Sequence, residues 1–170
     1  MDEQILEVIP VNWKKGLFKS EPWAVIVTDK EMLFAKWTQE LFKKESLKRK
    51  EEAKDSGGGK VKQFFSQMTT GFSYYNKYLE MKPDEILSEN NENFSLTPND
   101  VLDIKMKKGR SKYQNRGIVN VRINIGSQQQ MDELETPHEL IINAKTGKII
   151  LNFNTNFEKA KSALATAFYF

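Results

Sequence analysis

The sequence predicts a mainly β domain with helices, a small β-barrel or half-barrel closed by a C-terminal α-helix. Three observations carry that prediction. Ala24-Val25-Ile26-Val27 and Met32-Leu33-Phe34-Ala35 are apolar runs on either side of the polar turn Thr28-Asp29-Lys30-Glu31, the pattern of a β-hairpin. Glu139 to Phe153 repeats the arrangement around Lys145-Thr146-Gly147. Asn156 to Phe170 then places Phe157, Ala160, Ala163, Leu164, Ala167 and Phe168 on one side of a short helix.

Composition sets the outer limits. A chain of 170 residues buries one core, so residues 1–170 are expected to form a single domain. It is 39% hydrophobic and 29% charged, slightly more polar than an average domain, as a solvated insertion would make it. The net charge of +3 is too small to point to nucleic acid. Its distribution says more. Glu80 to Asp103 holds seven acids against the lone Lys82, whereas Lys105 to Arg116 holds Lys105, Lys107, Lys108, Arg110, Lys112 and Arg116 and no acid. Cysteine is absent, which excludes disulfides and thiolate metal sites and fits an intracellular protein. The acidic start Met1-Asp2-Glu3-Gln4 precedes no apolar run near the ~18 residues of a membrane span, so a cytoplasmic protein is expected.

Residues 4–37 read as strands, with Pro10 fitting an edge or a bend. Gly16-Leu17-Phe18 leads through Lys19-Ser20-Glu21-Pro22 into the first hairpin. At Thr38 the character changes. Glu40 to Lys54 is helix-forming and of mixed charge, with Thr38 or Ser46 as its cap. Ser56-Gly57-Gly58-Gly59 reads as a flexible joint. Val61, Phe64, Phe65, Met68, Phe72, Tyr75 and Leu79 then keep a helical rhythm. Pro83 to Leu87 is a helical turn with proline at its first position, and Asn90 to Asn93 a loop. Phe94 to Thr97 and Val101 to Met106 are strand-like around the Pro98-Asn99-Asp100 turn. Arg116 to Ile125 alternates as a strand with one wet face, and Gly126 to Pro137 is a polar connection.

The order of these pieces resembles the pleckstrin-homology-like (PH-like) superfamily, in particular its GRAM and its bacterial and archaeal PH-like branches. Val27-Thr28-Asp29-Lys30-Glu31-Met32-Leu33-Phe34 is similar to the "LTDxRLIF" strand-turn-strand of those domains, with Glu31 where they usually carry arginine. Phe94 to Val101 is similar to their "IPLSDI" segment, and Thr146-Gly147-Lys148 with Phe153 and the terminal helix to their "GKxxxF" ending. The likeness spans residues 4–37 and 94–170. It implies a PH-like β-barrel capped by a C-terminal α-helix, with residues 38–93 as a helical insertion between strands. Tyr78 to Leu87 also matches a "YxxMxPxEIL" element of archaeal PH-like proteins.

Catalytic residues are not expected. Ser56-Gly57-Gly58-Gly59-Lys60 lacks the spacing of a phosphate loop, and Val61 stands where Ser or Thr would hold a metal. His138 is the lone histidine, too few donors for a metal site, and reads as a surface residue at the start of a strand. Asp132, Glu133 and Glu135 lie in a polar connection with nothing to raise a pKa. No cofactor is expected.

Two features remain as candidates. Lys105, Lys107, Lys108, Arg110, Lys112 and Arg116 form a basic run suited to an anion or lipid headgroup, or a solvated loop. Lys14 and Lys15, with Lys19, occupy the loop where phosphoinositide-binding relatives carry a basic motif. Nucleic acid is not expected, since Tyr113 is the lone aromatic within the run. The stripe Phe64, Phe65, Met68, Phe72 and Tyr75 is a packing face for the domain's own sheet, or a contact for a partner. The expected function is a non-enzymatic binding or scaffolding module, acting through protein contacts or self-association and at anionic membrane surfaces. The alternative is a homo-oligomer assembled through the insertion helix or exposed strand edges.

Overall fold

A computed structural model describes residues 3–55, 74–111 and 134–168. Both predicted hairpins form. β1 (Ile5–Lys14), β2 (Ser20–Thr28) and β3 (Met32–Lys36) make one antiparallel meander, and β4 (Phe94–Leu96) joins it beside β3. β5 (Val101–Lys107), β6 (His138–Ala144) and β7 (Gly147–Phe153) make a second. The two halves join where β7 pairs with Asn12 and Trp13 of β1, giving one seven-stranded sheet in the order β4-β3-β2-β1-β7-β6-β5. Pro10 lies outside that short join, so among the described strands it has a neighbour on the β2 side alone, the edge-like setting in which a strand accepts proline.

The turns follow from local chemistry. Thr28 Oγ1 accepts the N–H groups of Lys30 (3.2 Å) and Glu31 (2.9 Å), closing the β2–β3 turn. Gly147 sits at φ +136°, a conformation L side chains rarely adopt, so glycine is required at the β6–β7 turn. Pro98–Asp100 forms a 3-10 turn in which Asp100 accepts from the Thr97 N–H (2.9 Å) and hydroxyl (2.6 Å).

The sheet is not closed into a barrel. β4 has three residues and pairs with β3 alone, β5 pairs with β6 alone, and both lie at the edges. The terminal helix covers one face in place of closure. A single core cluster joins Trp23, Val25 and Phe34 from one half to Leu140, Ile142 and Leu151 from the other. α3 (Phe157–Phe168) covers it with Ala160, Ala163, Leu164 and Ala167. Asn156 caps this helix, its Oδ1 accepting from the N–H groups of Glu158 and Lys159 at 3.1 Å each.

The opposite face of β1–β3 is buried as well. Val8, Ala24, Ile26, Leu33 and Ala35 pack with Tyr74, Tyr78 and Ile86 of the insertion. Burial on both faces explains why Trp23 to Thr28 is an unbroken buried run rather than an alternating one. α1 (Gln39–Asp55) starts at Thr38, whose Oγ1 accepts from Leu41 N–H (3.2 Å), and it lays Leu41 and Phe42 on this second core. Ser46 is no cap; its hydroxyl donates within the helix to the Phe42 carbonyl (2.8 Å). α2 (Pro83–Ser88) begins at the expected proline.

The helix expected through Leu79 ends differently. Tyr75–Leu79 is a 3-10 helix, a tighter winding that directs Lys77 and Tyr78 inward from adjacent positions. Tyr75 packs against the second core. Phe64, Phe65, Met68, Phe72, the joint expected at residues 56–59, the strand expected at residues 116–125, Lys112 and Arg116 lie outside the described residues.

Candidate functional site

Strand register assembles a polar, basic rim. Asn12, Asn152, Glu139 and Lys107 are successive cross-strand partners across β1, β7, β6 and β5. Lys14 lies two residues beyond Asn12, on the same face of β1. Its Nζ reaches Glu139 Oε2 at 3.1 Å, and Lys107 Nζ reaches Glu139 Oε1 at 3.0 Å. The hydrogen bond from Lys107, then that from Lys14, holds the Glu139 carboxyl below the usual carboxylate range. One carboxylate thus sits between two cations, and the locality keeps a net positive charge.

The basic run is therefore a strand and its exit as well as a loop. Lys105 and Lys107 alternate outward from β5 while Ile104 turns to the core. Lys105 pairs with Asp103 (3.1 Å), both largely exposed, so that pair constrains little. Lys108 departs from the group. Its Nζ binds Glu158 (3.2 Å) and lies 5.7 Å from the Phe157 ring, at the start of α3. Arg110 is exposed, and its backbone N–H donates to Thr136 Oγ1 (2.9 Å). Lys15 sits 3.3 Å over the Trp13 ring, on the face opposite Lys14. Lys14, Lys105 and Lys107 form one face, while Lys15 and Lys108 are engaged away from it.

Sequence reasoning missed the apolar tip beside this rim. Leu17 and Phe18, in the β1–β2 loop, are 95% and 102% exposed. The available signal was an apolar pair bracketed by Lys14, Lys15 and Lys19, with no acid from Trp13 to Ser20.

His138 corrects the surface expectation. It is buried at 1% exposure, between Phe153 (5.0 Å) and Phe157 (5.1 Å), and its Nδ1 accepts the Gly109 N–H at 2.8 Å. A Cβ on Gly109 would lie 2.0 Å from the Thr136 carbonyl oxygen, so glycine permits this close approach. The pair locks the exit of β5 against the start of β6.

Another missed cluster lies in the insertion. Lys77 is 6% exposed, its Nζ donating to Tyr74 Oη (2.7 Å) and pairing with Glu89, whose other oxygen accepts from Tyr78 Oη (2.9 Å). Burial, reinforced by the Glu89 charge, raises the Tyr74 phenol above its ordinary range; burial raises Tyr78 most, with Tyr74 and Glu89 adding to it. This network ties the 3-10 helix to the residue that follows α2 within the insertion, and the rings of Tyr74 and Tyr78 pack on the sheet.

A cleft of about 430 Å³ is lined by Pro10, Asn12, Pro22, Tyr75, Asn152 and Phe153 among others, and no carboxylate, lysine or histidine lines it among the described residues. No described group of His, Cys, Asp or Glu is arranged to hold a metal, and no described helix is long and apolar enough to cross a membrane.

Neither a protein-family model nor a curated protein matches the chain. Among solved structures it is similar to the C-terminal domain of an unknown protein from Leishmania infantum, at 11% identity and a TM-score of 0.43. That overlap covers 99% of this chain and 86% of the other. At that distance the likeness carries no argument about function.

Proposed function

We propose that this chain is a non-enzymatic binding module of PH-like type that docks on anionic surfaces, a scaffold for protein contacts and for peripheral attachment to anionic lipid. Two antiparallel meanders joined through β1 and β7, followed by a capping terminal helix, support the PH-like reading. The observation that carries the binding reading is the rim, where Lys14 and Lys107 share Glu139 and Lys105 stands on the same face. Strands hold these cations at fixed separations, so they meet an anionic surface with little ordering cost.

Co-sedimentation with vesicles of phosphatidylcholine and phosphatidylserine tests the lipid arm. Binding is expected at low salt and is lost at high salt, because exposed cations are screened within about 10 Å at 0.1 M. Lys107→Glu weakens it. Glu139→Gln releases two lysines from their shared carboxylate and strengthens it several-fold, each unscreened cation near such a surface contributing about 1 kcal/mol. No binding at low salt overturns the lipid arm.

Self-association is a second reading with one observation in its favour. β5 is an edge strand of the described sheet and exposes Leu102 at 68%. Light scattering that finds a monomer at high concentration removes it.

A further inference from the structure

The sheet parts where β1 and β7 diverge, and proline is the cause. The Lys15 N–H bonds the Lys19 carbonyl at 2.9 Å, continuing the β1–β2 register and fixing the phase of its ladder. Lys15, Trp13 and Val11 therefore turn their N–H and C=O toward β2, while Asn12 and Pro10 turn theirs toward β7. Asn12 meets Asn152 there, and continuing that register sets Pro10 opposite Asn154. Pro10 has no N–H for that pair, and β1 and β7 pair through Asn12 and Trp13 alone. The Pro10 carbonyl and the N–H and carbonyl of Asn154 are left facing the opening. Among the described residues no hydrogen bond satisfies the Asn154 N–H.

The cleft of about 430 Å³ lies at this divergence, with Pro10 to Asn12 on one side and Asn152 to Asn154 on the other. That volume falls within the range of roughly 300–1,000 Å³ usual for ligand sites. Its described lining is uncharged, and Asn12, Asn152 and Asn154 each bring a carboxamide, a donor and an acceptor like those of a peptide group. Tyr75 forms the wall on the insertion side; burial lifts its phenol to about 12, so it stays a protonated donor. Positive charge stands only at the closed end. Lys14 follows Asn12 by two residues, and Glu139, shared by Lys14 and Lys107, is the cross-strand partner of Asn152.

We infer that this opening receives an extended segment of a partner protein, uncharged along its length and acidic at its end, paired through its main chain with Pro10 and Asn154. The inference rests on the protein-contact arm of the proposed function and is independent of its lipid arm. A strand added to exposed backbone takes its affinity from main-chain hydrogen bonds and its specificity from alternate side chains. Here those side chains meet Tyr75 and Pro22. A neutral lining suits an uncharged segment, and the surplus charge of Lys14 and Lys107 complements an acid at the closed end.

The probe is the peptide acetyl-Glu-Val-Thr-Val-Thr-Val-Glu-amide, with a lysine-ended counterpart as control. At millimolar concentration the first is expected to shift the amide resonances of Val11, Asn12 and Asn154 and to slow exchange of the Asn154 proton about tenfold. The lysine-ended peptide binds more weakly. Asn154→Pro removes the N–H at an exposed position, and circular dichroism and melting check its fold. It weakens binding about three- to tenfold, the contribution of one main-chain hydrogen bond. Asn154→Ala keeps the N–H and loses less. Equal losses in the two variants overturn main-chain pairing, and equal binding of the two peptides overturns the acidic end. Shifts confined to Lys14, Lys105 and Lys107 overturn insertion and leave the rim as the docking surface. No response to the peptide overturns the inference, and vesicle co-sedimentation then reports on the lipid arm separately.

Discussion

Replacing Lys77 or Glu89 tests whether the insertion is part of the domain's stability. Lys77 is 6% exposed and Glu89 16%, so removing one partner strands a charge with little access to water. Such a change costs about 3–5 kcal/mol, against a total stability of roughly 5–15 kcal/mol for a domain. Lys77→Met is expected near the lower end, because the Glu89 carboxylate keeps the Tyr78 hydroxyl and some solvent. Glu89→Leu is expected near the upper end, because the more deeply buried ammonium then loses its carboxylate partner. At about 2–4 °C per kcal/mol for a chain of this size, the melting temperature falls by roughly 10 °C. The double variant Lys77→Met with Glu89→Leu removes both charges and is expected to recover about 1–3 kcal/mol relative to the sum of the singles. Urea unfolding followed by tryptophan fluorescence suits the assay, since Trp37 packs against Phe42 on this second core. Singles within 1 kcal/mol of wild type, or strictly additive effects, would refute the claim that this pair holds the insertion together.

Gly109→Ala is expected to destabilise by about 2 kcal/mol or more in the same assay. The new Cβ would meet the Thr136 and Pro137 backbone at 2.0 to 2.8 Å, and relief requires breaking the Gly109 N–H to His138 bond; a change below 0.5 kcal/mol would show the approach to be looser. Alkaline pH acts on the insertion. Burial pushes Tyr75 up to about 12 and raises Tyr74 and Tyr78 further, whereas an unfolded tyrosine titrates near 10. Above pH ~10 the unfolded state loses protons that the folded state keeps, so this stability is intact below that value and is lost as pH climbs toward the folded values. Of the five tyrosines in the chain, three are expected to show phenolate absorbance only together with unfolding, and early titration of three or more would refute it.

Much of the fold was legible because it depends on near neighbours. The Thr28 turn, the Gly147 turn, the Asn156 cap and Pro83 at the start of α2 act over a few residues, and each leaves its residue type in the sequence. The unbroken apolar run in β2 also carried a signal of two-sided burial, but the partner covering the second face could not be read from it. His138 was misjudged because its environment comes from Phe153, Phe157 and Gly109, all distant in sequence. The barrel was misjudged at its seam, since hairpin patterns specify neighbours in a meander and say nothing about whether its ends meet.

By itself, the sequence determined two hairpins, a capping helix, a charged insertion and a basic run, since periodicity and turn chemistry are written within short windows. Only the tertiary structure decided which of those cations act together. Lys14 and Glu139 are 125 residues apart and Lys107 and Glu139 are 32 apart, and the register of β1, β7, β6 and β5 brings them within ion-pair distance. That same fold left Leu17 and Phe18 uncovered. Charge pairing and exposure are properties of distance and burial, and both are set by the packing of remote strands.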